Sequence, residues 1–430
     1  MKNIEVSALA RVEGEGGLFI GLQDGKAIQV RLDIYEPPRF FEGFLIDRFL
    51  QEVPDITARI CGICPVAYQM SSVMALENAL GLTAPSQVRS LRRLMYCGEY
   101  IESHALHIYL LQAPDLLGKE SALELAEVAP QVVKDALRLK KIGNEILRTI
   151  GGRSIHPVSV CVGGFYQWPS APALKALLPE LEWGLEAAKS CVEWAAALPY
   201  PDLEIDYESV ALHRPDEYAV LDGEVRSSQG LRLPIADFET AFVEEHVRHS
   251  NALHGRTMDG KAYLVGPLAR LNLNHEQLSP AAKKALYDTG ISLPINNPYK
   301  ALLARGIELV HYYEEAIRLI KAYQPEGPAH MDLNLKAGEG FGATEAPRGL
   351  LFHRYRIDDR GLIKFARITP PTAQNLPRME ADLMQLAPKI IALPEAEATL
   401  AAEHLVRSYD PCISCATHFL KLKVEDLGKA

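Results

Sequence analysis

The chain has 430 residues, of which 48% are hydrophobic and 23% charged, with 30 glycines and 28 prolines. That composition excludes a mainly disordered chain, a collagen-like repeat and a disulfide mini-protein, and the length allows a large buried core. Lys plus Arg is 45 against Asp plus Glu 55, a net charge of −10, which argues against a nucleic-acid partner. Seven cysteines are an odd number at low density, so a complete intrachain disulfide framework is ruled out and a reducing compartment is expected. The N-terminal stretch MKNIEVSALARVEGEGG lacks the apolar core of a signal peptide, and no apolar run is long enough to span a membrane. The expectation is a cytoplasmic protein, or one exported on a partner that carries the signal.

In chain order, residues 17–34 read as a β-hairpin around Asp24-Gly25, a pair that accepts positive φ. Residues 36–50 read as a proline-led entry into a short helix. Pro65 opens a helical pattern that runs to Leu80, because the first helical N–H is unpaired in any case. Residues 84–117 and 119–149 read as long helices, the second closed by Gly151-Gly152. Residues 172–197 and 299–323 also read as helices. Between 200 and 270 the pattern shortens and becomes strand-like, which suggests a small α+β insertion. Residues 349–371 read as strands around Asp359-Arg360-Gly361. The expected fold class is therefore mainly α with smaller β parts: one integrated domain over 1–430, a helical core with an N-terminal hairpin and small sheets.

Four of the cysteines form two CxxC pairs at opposite ends of the chain, Cys61/Cys64 and Cys412/Cys415. This spacing lets two thiolates face one metal. Cys64 stands just before a helix N-terminus, where the helix dipole favours the thiolate. Spacing alone leaves a four-cysteine zinc scaffold, a redox CxxC and an iron or nickel site open. Cys97, Cys161 and Cys191 have no partner at ligand spacing and read as buried thiols. His104 and His107 share a helix face at i, i+3 and read as packing residues.

The residues flanking the pairs are more informative. Arg59-Ile60-Cys61-Gly62-Ile63-Cys64-Pro65 and Asp410-Pro411-Cys412-Ile413-Ser414-Cys415-Ala416-Thr417-His418 resemble the RxCGxC and DPCxxCxxH signatures of the nickel–iron hydrogenase large subunit. Five further segments resemble that family in the family's order: Arg11-Val12-Glu13-Gly14, Pro38 to Leu45, His104 to Asp115, Gly151 to Pro157, and Glu345-Ala346-Pro347-Arg348-Gly349.

The resemblance implies heterolytic cleavage of H2, which needs a Lewis acid for the electron pair and a base for the proton. It implies nickel held by Cys61, Cys64, Cys412 and Cys415, with Cys64 and Cys415 bridging to an iron that carries CO and cyanide. Cys412 becomes the proton acceptor and Glu13 the relay. Arg348 is set over the metals with Asp115 and Asp410 as its carboxylates, Pro347 shapes the wall, and Thr372 donates to a cyanide. Glu42 and His418 become ligands of a distant Mg. The residues after His418, 419–430, resemble a maturation peptide, which implies a maturation protease and nickel chaperones.

The segments CPVAYQ and SCATH are similar to those of the cytoplasmic bidirectional group, which includes the sulfhydrogenase type linked to NADP or NAD. That implies a small subunit with iron–sulfur clusters and flavin-bearing (FAD) diaphorase subunits. This chain has no GxGxxG or Walker motif of its own. A deazaflavin-reducing subunit is the alternative within the family. One departure stands out: Tyr68 occupies a position where the family commonly has histidine.

Overall fold

The computed structural model describes residues 3–24 and 26–417. A three-stranded antiparallel sheet opens the chain: Ile4–Val6, Gly16–Gln23 and Lys26–Ile34. Its hairpin turns at Asp24, whose φ is 50°; Gly25 lies outside the described residues. A five-residue helix, Phe41–Leu45, follows.

The centre of the molecule is built from helices buried on every side. Pro65–Leu80 starts on its proline and ends at Gly81, φ 68°, with all but two of its side chains buried. Ser86–Leu106 and Ala301–Ala322 flank the core and are buried along most of their length. Helices buried on all sides form the interior of a large fold, and these carry buried charges such as Arg92, Glu99 and Glu308. Ser86–Leu106 runs on through a π-helical stretch, His107–Gln112, into Ala113–Leu116. Pro114 cannot donate to a carbonyl in the preceding turn, and the helix widens just before it.

Two expected helices are each split in two by a proline. The stretch 119–149 forms Ala122–Val128 and Pro130–Gly151, with Gly152 (φ 77°) as the terminator. The stretch 172–197 forms Ala171–Lys175 and Leu178–Ala196, the second opening with Pro179. In both places proline lacks the N–H that would carry a continuous helix across the junction.

The C-terminal third forms an antiparallel meander, Gly338–Ala346, Gly349–Ile357 and Ile363–Thr369. It is followed by helices Pro371–Ile390 and Glu395–Ser408. Strand Gly338–Ala346 escapes the sequence reading because alternate positions are glycine. Those glycines face the Pro65–Leu80 helix. A Cβ on Gly340 would lie 2.0 Å from the Ala75 carbonyl oxygen, and one on Gly342 would lie 2.5 Å from that of Ser71. The strand therefore rests directly on the helix backbone. Helix Pro371–Ile390 is masked in the sequence by Pro377 and Pro388.

Residues 200–270 hold two small sheets, Val210–His213 with Glu224–Ser227 and Arg232–Leu233, and Phe242–Glu245 with His254–Thr257. They share one apolar cluster with the meander, including Phe238, Phe242, Tyr263 and Phe352. No described helix is long and apolar enough to cross a membrane.

Gly340→Ala is expected to destabilise the chain by about 2–3 kcal/mol, since neither backbone can yield easily. Gly43→Ala, where nothing lies within 4 Å of the added carbon, is expected to be neutral or slightly stabilising. Thermal melts of the two variants check this.

Candidate metal centre

The two ends of the chain meet at the cysteines. Glu13 and Cys412 form an isolated parallel bridge, and Ile413 N–H donates to the Glu13 carbonyl at 2.9 Å. This backbone pairing aims the Glu13 carboxylate at its target: Oε2 lies 3.0 Å from Cys412 Sγ and accepts Ser414 N–H at 3.1 Å. Gly14, φ 90°, permits the approach, since a Cβ there would lie 2.7 Å from the Ile413 side chain.

Cys61, Cys412 and Cys415 bring their sulfurs within 4.8 Å of one another. Cys61 Sγ and Cys412 Sγ are 3.6 Å apart, and Cys412 Sγ and Cys415 Sγ 2.7 Å apart. Cys64 is buried beside them, and its thiol interacts with all three. Ile63 N–H and Cys64 N–H both donate to Cys61 Sγ at 3.3 Å, so the turn before helix Pro65–Leu80 stabilises a thiolate there. Hydrogen bonds from Cys412 and Cys415 hold Cys61 well below the ordinary thiol value. Burial and the crowding thiols push Cys412 well above it. Four thiols this close and this dry cannot all ionise unaided; a soft, thiophilic cation is what would discharge them together. The donor set therefore fits nickel and iron.

Around the sulfurs, polar groups are fixed in place. Arg348 donates through Nε to the Asp410 carbonyl at 2.7 Å and through Nη2 to its carboxylate at 2.9 Å. Burial opposes the Arg348 charge, but Asp410 and the cysteine sulfurs outweigh it and keep the guanidinium protonated. Arg348 Nη1 is buried without a hydrogen-bond partner among the described residues. Thr372, at the start of helix Pro371–Ile390, accepts Cys412 N–H at 3.0 Å, so its hydroxyl proton is free to point elsewhere. Pro347 offers its carbonyl to Arg270 at 2.9 Å.

Asp115 differs from expectation. It pairs with Arg407 in a two-point contact of 2.7 and 2.9 Å and with Arg11, and it is not a partner of Arg348. The widened helix that carries it sets it against the Glu395–Ser408 helix, where two arginines compete for it. Glu42 accepts Ile368 N–H at 2.8 Å. His418 and residues 419–430 lie outside the described residues. His104 pairs with Glu308 at 2.7 Å and His107 with the Arg407 carbonyl at 2.8 Å, which makes them packing residues, as read. Cys97, Cys161 and Cys191 are free and buried.

Several residues at the centre were not singled out by the sequence. Arg39 donates to the Ile60 carbonyl at 2.7 Å and to the Ser414 carbonyl, so one guanidinium ties together the loops of both cysteine pairs. Its signal was its place inside the Pro38 to Leu45 segment. Glu99 accepts Val66 N–H at 2.6 Å and Ala67 N–H at 3.1 Å, which caps the helix that follows Cys64. Burial pushes its carboxyl well up. Tyr68, which the sequence did single out, is buried within electrostatic reach of all four thiols, and its hydroxyl has no hydrogen-bond partner among the described residues.

Comparison with known proteins bears on what this centre is. The profile of the nickel-dependent hydrogenases matches residues 39–135 and 254–418. Sulfhydrogenase 1 subunit alpha of Pyrococcus furiosus is 34% identical over 98% of this chain and 100% of its own length. The chain belongs to the nickel-dependent hydrogenase family. It is the large, catalytic subunit of a nickel–iron hydrogenase, an oxidoreductase acting on H2. The NAD-reducing hydrogenase HoxS subunit beta of Cupriavidus necator is 28% identical over 97% of this chain and 95% of its own. A crystal structure of an NAD+-reducing [NiFe]-hydrogenase in the H2-reduced state superposes with a TM-score of 0.87 at 26% identity, covering 97% of this chain and 100% of the other. The hydrogenase fold class is as expected, and the zinc-scaffold and redox-pair readings fall away. As a large subunit of this family the chain works with a small-subunit partner.

Arg39→Ala is expected to remove two charge-assisted contacts, about 3 kcal/mol in all, and to release the C-terminal loop from the Cys61 loop. Nickel per purified chain should fall several-fold, and Arg39→Lys should retain an intermediate level.

Proposed function

We propose that this hydrogenase splits H2 at a nickel–iron centre held by Cys61, Cys64, Cys412 and Cys415, and that Cys412 and Glu13 carry the proton away. The observation that supports it is the 3.0 Å contact between Cys412 Sγ and Glu13 Oε2. When bound, the centre supplies Lewis acidity and a place for the electron pair of H2.

The protein's own groups account for the proton. The Cys412 sulfur is a soft base that takes it at Sγ. Glu13 Oε2 is within one hydrogen bond and receives it. Ser414 N–H and the backbone bridge hold Oε2 in line, so the transfer needs no search. Glu13 is half-buried and Glu15, two residues on, is exposed, which gives the proton a short way to water. The reverse sequence of transfers delivers protons for H2 formation.

Arg348 and Asp410 hold a fixed charge pair over the sulfurs. Arg348 Nη1 and the Thr372 hydroxyl are two donors suited to a cyanide on iron, and Pro347 forms the adjacent wall. The iron's CO and cyanide ligands belong to this proposal. So does Mg at Glu42, with His418 as its second ligand. Asp115 acts at a distance: it anchors Arg11 and Arg407 and so positions the segment that carries Glu13.

We infer further that electrons leave through a small subunit with iron–sulfur clusters and reach NAD or NADP through a flavin-bearing diaphorase subunit. The likeness over full length to a sulfhydrogenase subunit and to a subunit of an NAD-reducing enzyme supports this. The same reading puts the enzyme in the cytoplasm, in keeping with seven free buried cysteines, and invokes the maturation protease and nickel chaperones for assembly.

Glu13→Gln is expected to slow H/D exchange between H2 and solvent by about 100-fold while nickel and iron content stay unchanged; exchange at the wild-type rate would remove Glu13 from the proton path. Under H2, the intact anaerobic complex should reduce NAD+ or NADP+. Reduction of a deazaflavin with neither nicotinamide reduced would overturn the acceptor assignment.

A further inference from the structure

A second group of metal-ligating side chains lies in a part of the chain with no cysteine. His249 comes from the loop that leads into strand His254–Thr257, His254 opens that strand, and Glu380 comes from helix Pro371–Ile390. One donor atom from each lies within 4.8 Å of the others. His249 Nε2 is 2.8 Å from Glu380 Oε1. His254 Nδ1 is 3.8 Å from Glu380 Oε2, too far for a hydrogen bond. The two imidazoles stand edge to face with centroids 5.5 Å apart.

His254 is the telling residue. It is 0% exposed, and neither of its ring nitrogens has a hydrogen-bond partner among the described residues. A buried imidazole with both nitrogens unsatisfied is costly and needs an explanation. Core packing alone would not place it beside a second histidine and a carboxylate.

We propose that His249, His254 and Glu380 form a binding site for a divalent cation of the zinc class, separate from the cysteine centre. Two imidazole nitrogens and one carboxylate oxygen suit zinc and related borderline metals and do not suit magnesium or calcium. Ligands on one tetrahedral zinc are roughly 3.4 Å apart, so the three side chains need only close slightly. His249 and Glu380 are partly exposed, so the ion has a way in and a fourth position for water. Glu380 also borders a cavity of about 980 Å³. Arg256, whose charge reaches His254, is paired with Glu245 at 3.5 Å, and Glu380 supplies the negative charge.

The placement indicates what the ion does. Glu380 Oε1 also accepts Leu32 N–H at 2.9 Å. Between the two histidines, Asn251 N–H donates to the Ile34 carbonyl at 2.7 Å, and its side chain donates to the carbonyls of Tyr35 and Glu36. Glu36 in turn accepts Glu15 N–H at 3.0 Å. The ion would clamp the N-terminal sheet, the 249–254 loop and the helix that begins at Pro371. It is a brace for the segments on either side of Glu13 and takes no part in the reaction.

The test is a zinc titration of the intact complex after dialysis against EDTA, read as zinc retained per chain and as melting temperature. Cobalt(II) serves as a visible-absorption probe of the ligand field. We expect one zinc per chain beyond the metals of the cysteine centre, and a melting temperature that rises with zinc. Affinity should fall at least about 100-fold in His249→Ala and in His254→Ala, more than loss of an outer hydrogen-bond partner costs. His249 is partly exposed, so its variant reports even if the His254 variant fails to fold. Cys412→Ser should keep the extra zinc. The proposal is overturned if no extra zinc is retained, if His249→Ala binds it as wild type does, or if it is lost in Cys412→Ser. Each of those results leaves a plain His249–Glu380 hydrogen bond.

Discussion

One backbone contact holds the cysteine cluster together. Residue 13 pairs with residue 412 across a separation of 399 positions, and everything at the sulfurs follows from that closure. It brings the second cysteine pair onto the first, sets Glu13 on Cys412 and lets Arg39 bind both loops at once. Closing so long a loop costs configurational entropy that grows only slowly with length. The burial of almost the whole central helix set supplies the opposing free energy. Among the described non-glycine residues at positive φ, Arg11, Phe40, His156 and Asp410 lie in segments that border the centre or share its signature, and Asp24 and Asp47 lie in turns elsewhere.

Beneath the centre lies a second layer of fixed charge. Arg270 is fully buried between Glu308 at 2.6 Å and Glu345 at 3.2 Å. Burial alone would raise Glu308, but Arg270 and His104 pull it far down, so it is ionised. An ionised Glu308 can only accept, so His104, held neutral by burial with a pKa of about 4, carries its proton on Nε2. Tyr218 donates to the same carboxylate at 2.6 Å. Arg270 also takes the carbonyls of Ala346 and Pro347, which places the turn that presents Arg348. Such networks contribute little net stability but leave one arrangement in which every charge is paired. Arg348 is held over the thiols by this network and by Asp410, and a mobile arginine there would not stay desolvated.

The helices with unbroken apolar patterns were readable in advance. Pro65–Leu80 began and ended where its proline and glycine placed it, and Ala301–Ala322 nearly so. Errors fell where proline interrupts a helical pattern, at Pro130 and Pro179, and where glycine empties a strand, at Gly338–Ala346. In each case a backbone property overrode the side-chain pattern. The 371–408 helices were hidden by internal prolines and by a mixed polar face.

The two cysteine pairs themselves are determined by covalent chemistry and short spacing, which a sequence carries in full. Two thiols three residues apart, one pair before a helix N-terminus, keep that geometry wherever they fold. The family signatures around them extend the same local information to Glu13, Arg348 and Asp410. What local sequence does not carry is which distant carboxylate meets which arginine. Asp115 pairs with Arg407 and Arg11 and leaves Arg348 to Asp410, because those choices depend on where a π-widened helix points. His249, His254 and Glu380 are likewise unremarkable in sequence, and the two histidines meet the glutamate only when the 249–254 loop is laid against helix Pro371–Ile390. Pairings of that kind are long-range and compete for the same few buried charges, so packing of the whole chain decides them.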